Sequence, residues 1–214
     1  MLTTSLGCLG LLVLVAFIGF PIWKKSMAER SHQQRLVFQR EQLALNVRRA
    51  QAGKPHTVIL YDTEQTDDLL ESIAGTPGIQ GVSLQVTDAT DEGMKHIATL
   101  PDLRRLRLQN ERITDVGLQE LMEHPTLEAL YVELPSPDRR QMTVPAILAL
   151  PHLRKLEIYD GWPGNGLLSL LPELEQATAL EELVLISATL TDDDLEPLRA
   201  KLPNCNVVYR RDAK

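Results

Sequence analysis

An apolar unit of the form apolar-x-x-apolar-x-apolar returns about every 24 residues from Pro55 to the C-terminus. Its first positions fall at Pro55, Ile79, Leu103, Leu127, Leu153, Leu180 and Cys205. The third and fifth residues after these starts are Val58 and Leu60, Val82 and Leu84, Leu106 and Leu108, Leu130 and Val132, Leu156 and Ile158, and Leu183 and Leu185; the last start keeps only Val208. Four starts are followed at the eleventh residue by Thr-Asp, at Thr66-Asp67, Thr90-Asp91, Thr114-Asp115 and Thr191-Asp192. A second apolar series then runs at helical spacing, as in Met94, Ile97 and Leu100. Each unit therefore predicts a short strand, a turn, and a helix with a Thr N-cap and an Asp in its first turn, where the helix dipole favours it. Thr191 with Asp194 predicts a variant of the capping box. One unit cannot bury its own leucines, so neighbours must stack and share one core.

The run Leu103, Leu106 and Leu108 followed by Ile113-Thr114-Asp115-Val116-Gly117-Leu118 resembles the leucine-rich repeat family, in the Thr-Asp-x-Gly-Leu subtype of cysteine-containing repeats. The resemblance covers residues 55–214 and implies a bacterial-type, membrane-anchored arrangement. The fold it implies is an α/β solenoid, a curved arc of about six strand-turn-helix repeats with a parallel sheet on the concave side and helices on the convex side. The chain departs from the family at the position eight residues past each start, which reads Thr63, Thr87, Glu111, Pro135, Gly161 and Ala188. The usual side-chain ladder between loops is therefore expected to be partial.

Ser5–Trp23 holds no charge and is long enough for a transmembrane helix, with Trp23, Lys24 and Lys25 as its interfacial anchor. A cleavable signal peptide is the competing reading, but residues 1–7 carry no basic side chain, and two lysines separate the apolar run from Ser26-Met27-Ala28. The expected organisation is a transmembrane anchor at 1–25, a juxtamembrane helix at 26–54 and the repeat domain at 55–214. Residues 1–54 hold eight Lys or Arg against two Glu, and the remainder 14 against 27 acids. The positive-inside rule then places a single-pass protein with its repeats in the cytoplasm. Within 26–50, Leu36, Leu43, Val47 and Ala50 form a seam interrupted by Arg40. This fits either a helix capping the first repeat or a dimerising stalk. Cys8 and Cys205 are too far apart in this organisation to form a disulfide framework.

Chemistry is hard to assemble. His32, His56, His96, His124 and His152 fall at different places in their units and do not converge as metal ligands do. Gly161-Trp162-Pro163-Gly164-Asn165-Gly166 does not open the strand-to-helix unit of a phosphate loop. Asp67, Asp68, Asp91, Asp115, Asp192 and Asp193 should line one edge, where calcium is conceivable but helix starts already account for them. An acidic repeat domain disfavours nucleic acid. No catalytic, cofactor or metal site is expected.

Strand alternation sends the residues two, four and six past each start to the concave face. The middle column reads Ile59, Ser83, Arg107, Tyr131, Glu157, Val184 and Tyr209, and all four tyrosines of the chain fall in the three columns. Trp162, in a longer loop, and Pro135-Ser136-Pro137-Asp138-Arg139-Arg140 predict a lip beside this face, although Trp162 could equally fold back over the core edge. Tyr131, Tyr159, Trp162, Arg105 and Arg107 form the expected contact cluster, because Tyr, Trp and Arg dominate interface energetics. Seven strands give a face of roughly 400 Å², against about 800 Å² per partner in a stable interface, so a partner must use more than the strands or bind weakly. The expectation is a non-catalytic, monomeric protein-interaction module with an unidentified protein partner. Its alternatives are a self-associating structural protein and, more remotely, a metal-dependent hydrolase on the acidic edge.

Overall fold

The computed structural model describes residues 20–54, 56–109, 112–134, 142–161 and 166–212. It divides into compact units at Met1–Gln42 and Leu43–Lys214. Helix α1 (Phe20–Gln51) runs unbroken through the boundary expected at residue 25. Among the described residues no helix is long and apolar enough to cross a membrane; residues 1–19, most of the expected anchor, lie outside them.

The second unit alternates strand and helix: β1 (His56–Tyr61), α2 (Thr66–Glu71), β2 (Ile79–Gln85), α3 (Asp91–Ala98), β3 (Arg105–Gln109), α4 (Asp115–Gln119), β4 (Ala129–Glu133), α5 (Val144–Leu148), β5 (Lys155–Asp160), α6 (Leu171–Leu174), β6 (Glu182–Ser187), α7 (Asp192–Lys201) and β7 (Asn206–Arg211). The strands form one sheet in chain order, and every neighbouring pair is parallel. This α/β arrangement is compatible with a repeat solenoid.

The leucine spacing sets the register. Val58 pairs with Val82 and that with Leu106, then Leu130, Leu156 and Leu183, so equivalent positions of successive units lie side by side. All six are buried, as are their partners two residues on from Leu60 to Leu185, in one core with helix residues such as Met94, Ile97 and Leu118. Leu43 and Ala50 join that core, and Val47 packs against it, so the last turns of α1 cover the first repeat. The approach is close enough that a Cβ on Gly78, whose φ is +83°, would lie 2.4 Å from the Ala50 carbonyl oxygen. Only glycine meets both demands.

The final repeat departs from the expected register by one residue. Val207, not Val208, pairs with Leu183, and Tyr209 pairs with Leu185 at a core position. A slip of one exchanges the two faces of a strand, so Val208 takes the open-face column and Tyr209 packs against the core. Its hydroxyl finds acceptors there, donating to the carbonyls of Leu190 at 2.6 Å and Ser187 at 3.1 Å. Cys205 is accordingly one residue past the repeat start. It is half-buried, and burial pushes its thiol up.

The Thr-Asp pairs do more than start helices. Thr90 and Thr114 cap their own helices by accepting from the Glu92 and Val116 amides. The Asp that follows each Thr reaches into the next repeat. Asp67 accepts from the Thr90 amide at 3.0 Å and its hydroxyl at 2.6 Å, and Asp91 accepts likewise from Thr114 at 2.8 and 2.7 Å. Asp115 does the same for Thr143, at 2.7 and 3.0 Å. These three rungs tie successive turns together. Thr191 instead closes a capping box with Asp194 of its own helix. Thr66 is a second departure from expectation: it is the first residue of α2 rather than its cap, with Gln65 before it at φ 56°. Asp88 of the next repeat serves this helix start, accepting from the Gln65 and Thr66 amides at 3.0 and 2.9 Å.

Candidate interaction face

With the leucines turned inward, alternate residues of β1 to β5 line a depression of about 610 Å³ on the open face of the sheet. Its floor lies where Gly81 carries no side chain: a Cβ there would sit 2.7 Å from the Thr57 hydroxyl. Arg107 and Tyr131 are register partners on β3 and β4, and the guanidinium carbon stands 4.0 Å from the centre of the phenol ring. This is a cation–π pair, which holds the long arginine side chain in place. Arg107 Nε is buried and has no hydrogen-bond partner among the described residues. Arg105, two residues earlier, is exposed between the small register neighbours Gly81 and Ala129.

Charge divides this face. The open-face positions of β1 to β3 contain Arg105 and Arg107 and no acid, while β4 to β6 contribute Glu133, Glu157 and Glu182. Lys155 is paired with Glu182 at 2.7 Å. At the β1 rim, Ile59 and Tyr61 are 59% and 65% exposed, an apolar edge beside the basic half. The Tyr131 phenol is pushed up by burial, with Glu133 and Glu157 adding to the shift and Arg107 opposing it.

The expected cluster is brought together only in part. Tyr131, Arg107 and Arg105 share the groove. Tyr159 is a diagonal neighbour, opposite Glu133 rather than Tyr131, and its hydroxyl donates to Asp212 at 2.8 Å. That hydrogen bond is the main reason its phenol is pushed up to about 12. Tyr159 thus holds Asp212 as well as lining the face. Trp162 and the segment 135–140 lie outside the described residues. Asp160 is buried and accepts from the Leu167 amide at 2.8 Å.

Sequence reasoning left several contributors unassigned. Ile59, Ser83 and Glu157, read in the column of Arg107 and Tyr131 but left out of the expected cluster, line the groove with them. Asp212 carried no signal, because its bond to Tyr159 spans 53 residues. His124 is buried between repeats, its Nε2 2.9 Å from the Leu100 carbonyl oxygen, with the Thr126 amide 3.4 Å from Nδ1. Along the acidic edge, Asp67, Asp91 and Asp115 each use both carboxylate oxygens on a threonine of the next repeat. Among the described residues no group of three or more His, Cys, Asp or Glu could hold a metal ion. Compared with protein-family models and with curated protein sequences, the chain matches none.

Proposed function

We propose that this chain is a membrane-anchored leucine-rich repeat module that binds another protein through the open face of its sheet and performs no catalysis. The in-register leucines and the Thr-Asp rungs support the repeat assignment. The uncharged run Ser5–Trp23 and the basic residues after it support a single-pass anchor with the repeats in the cytoplasm. The observation that carries the binding role is the Arg107–Tyr131 pair, a preorganised aromatic–cationic anchor at the middle of a groove. Such pairs recur as interface hot spots because little entropy is lost when they bind.

Site-specific photo-crosslinking in cells tests this. A crosslinker at Ile59, exposed in the groove, is expected to yield discrete protein adducts, and one at the exposed helix-side Val116 is not. Equal adduct patterns from the two sites would refute the open-face reading. A second reading, end-to-end self-association, is favoured by β7, which has a sheet neighbour on one side only. It predicts a mass that rises with protein concentration, whereas the binding module stays monomeric.

A further inference from the structure

The proposed docking role leaves the chemistry of the partner open, and the groove narrows it. One column of open-face residues crosses five strands in the order Ile59, Ser83, Arg107, Tyr131, Glu157. Taking every second strand gives an exposed apolar side chain, a cation and an anion. Neither Arg107 nor Glu157 makes an ion pair among the described residues. Two strand spacings amount to about 9.6 Å. In a polyproline II segment every third side chain returns to the same side after about 9.3 Å, with no internal hydrogen bonds to break. A β-strand cannot match this pattern, because its residues three apart point to opposite faces.

We propose that the groove takes an extended, polyproline-type segment of a partner protein that reads apolar-x-x-acidic-x-x-basic from β1 to β5. The apolar side chain covers Ile59, the carboxylate sits on Arg107 with Arg105 beside it, and the basic side chain meets Glu157. This inference rests on the open face being the docking surface. The Arg107 guanidinium, held over the Tyr131 ring, brings a fixed positive charge to the groove, and charge-assisted bonds from such a group to a carboxylate are among the strongest available. The overall acidity of the repeats makes this basic spot the place where an acidic side chain gains most.

Selection of a randomised nonapeptide display library on the full-length chain in mild detergent tests the pattern. Enriched sequences are expected to carry Asp or Glu three residues before Lys or Arg. A labelled consensus peptide should bind the Arg105→Ala/Arg107→Ala variant at least about tenfold more weakly than the parent chain. Glu157→Arg should exchange the basic preference for an acidic one. These positions are on the open face, and a circular-dichroism melt of each variant separates lost binding from lost fold. Enriched peptides that depend on Tyr131 but show no acidic position would overturn this inference and leave the docking role standing. No enrichment, or binding indifferent to Tyr131→Ala and to both arginines, would overturn both.

Discussion

The Asp91 carboxylate lies against the Cα of Gly117 in the next repeat, where a Cβ would come within 2.4 Å of Oδ1. Gly93 stands in the same relation to Asp67, at 2.3 Å. This explains why Gly follows Thr-Asp at the second and third repeats: the previous repeat's aspartate occupies the space a side chain would need. Gly117→Ala should therefore cost about 1–3 kcal/mol by overpacking. Much of that cost should vanish in an Asp91→Ala background, giving a coupling of about 0.5–3 kcal/mol in a double-mutant cycle of urea unfolding. Simple additivity would contradict the rung.

Asp88 supplies an acid-sensitive tie between the first two repeats. Burial alone would raise its carboxyl, but hydrogen bonds from Thr66 and Gln65 together outweigh this and hold it below 3.8. A depressed folded value means that the unfolded chain binds the proton first, so this contribution is present above about pH 3.8 and is lost as pH falls through the folded value. Asp88→Asn should flatten the stability profile in that acid range and lower stability at neutral pH. A parallel profile for the two proteins would count against the tie.

The Tyr159–Asp212 bond acts at the other end of the scale. The phenol is raised from 10 to about 12, so the folded state holds its proton longer and stability falls as pH rises through that interval. Titration of phenolate absorbance should show a tyrosine ionising near 12, and Asp212→Asn should move that step back toward 10. Unchanged titration in the variant would remove Asp212 as the cause.

Val86, immediately after β2, has φ 54° and is 58% exposed. The left-handed region costs a β-branched residue roughly 1–2 kcal/mol and suits asparagine far better. Val86→Asn should raise thermal stability by about 1 kcal/mol, since little apolar burial is forfeited. A lower melting temperature would mean that Val86 makes contacts its exposure conceals.

The core of six repeats was legible because parallel in-register stacking repeats one apolar pattern at a fixed interval, and Leu106, Leu130 and Leu156 have no other way to be buried together. The same interval made Arg107 and Tyr131 readable as neighbours. The last repeat was not, because Cys205, Val207 and Val208 offer apolar residues on both phases of the strand; the hydroxyl of Tyr209, which needs the Ser187 and Leu190 carbonyls, favours one. The capping of α2 was hidden for a different reason. Thr66-Asp67 looks like its sister motifs, yet the group that caps this helix is Asp88, from the following repeat.

The central claim is that the Arg107–Tyr131 pair is the working centre of a protein-docking groove. It is tested most directly by comparing photo-crosslinking from Ile59 in the parent chain with that in Tyr131→Ala and Arg107→Ala variants in cells, alongside their thermal melts. The account predicts that adducts fall about tenfold or more in both variants while the melts stay within about 1 kcal/mol of the parent. Undiminished adducts from variants that remain folded would contradict it.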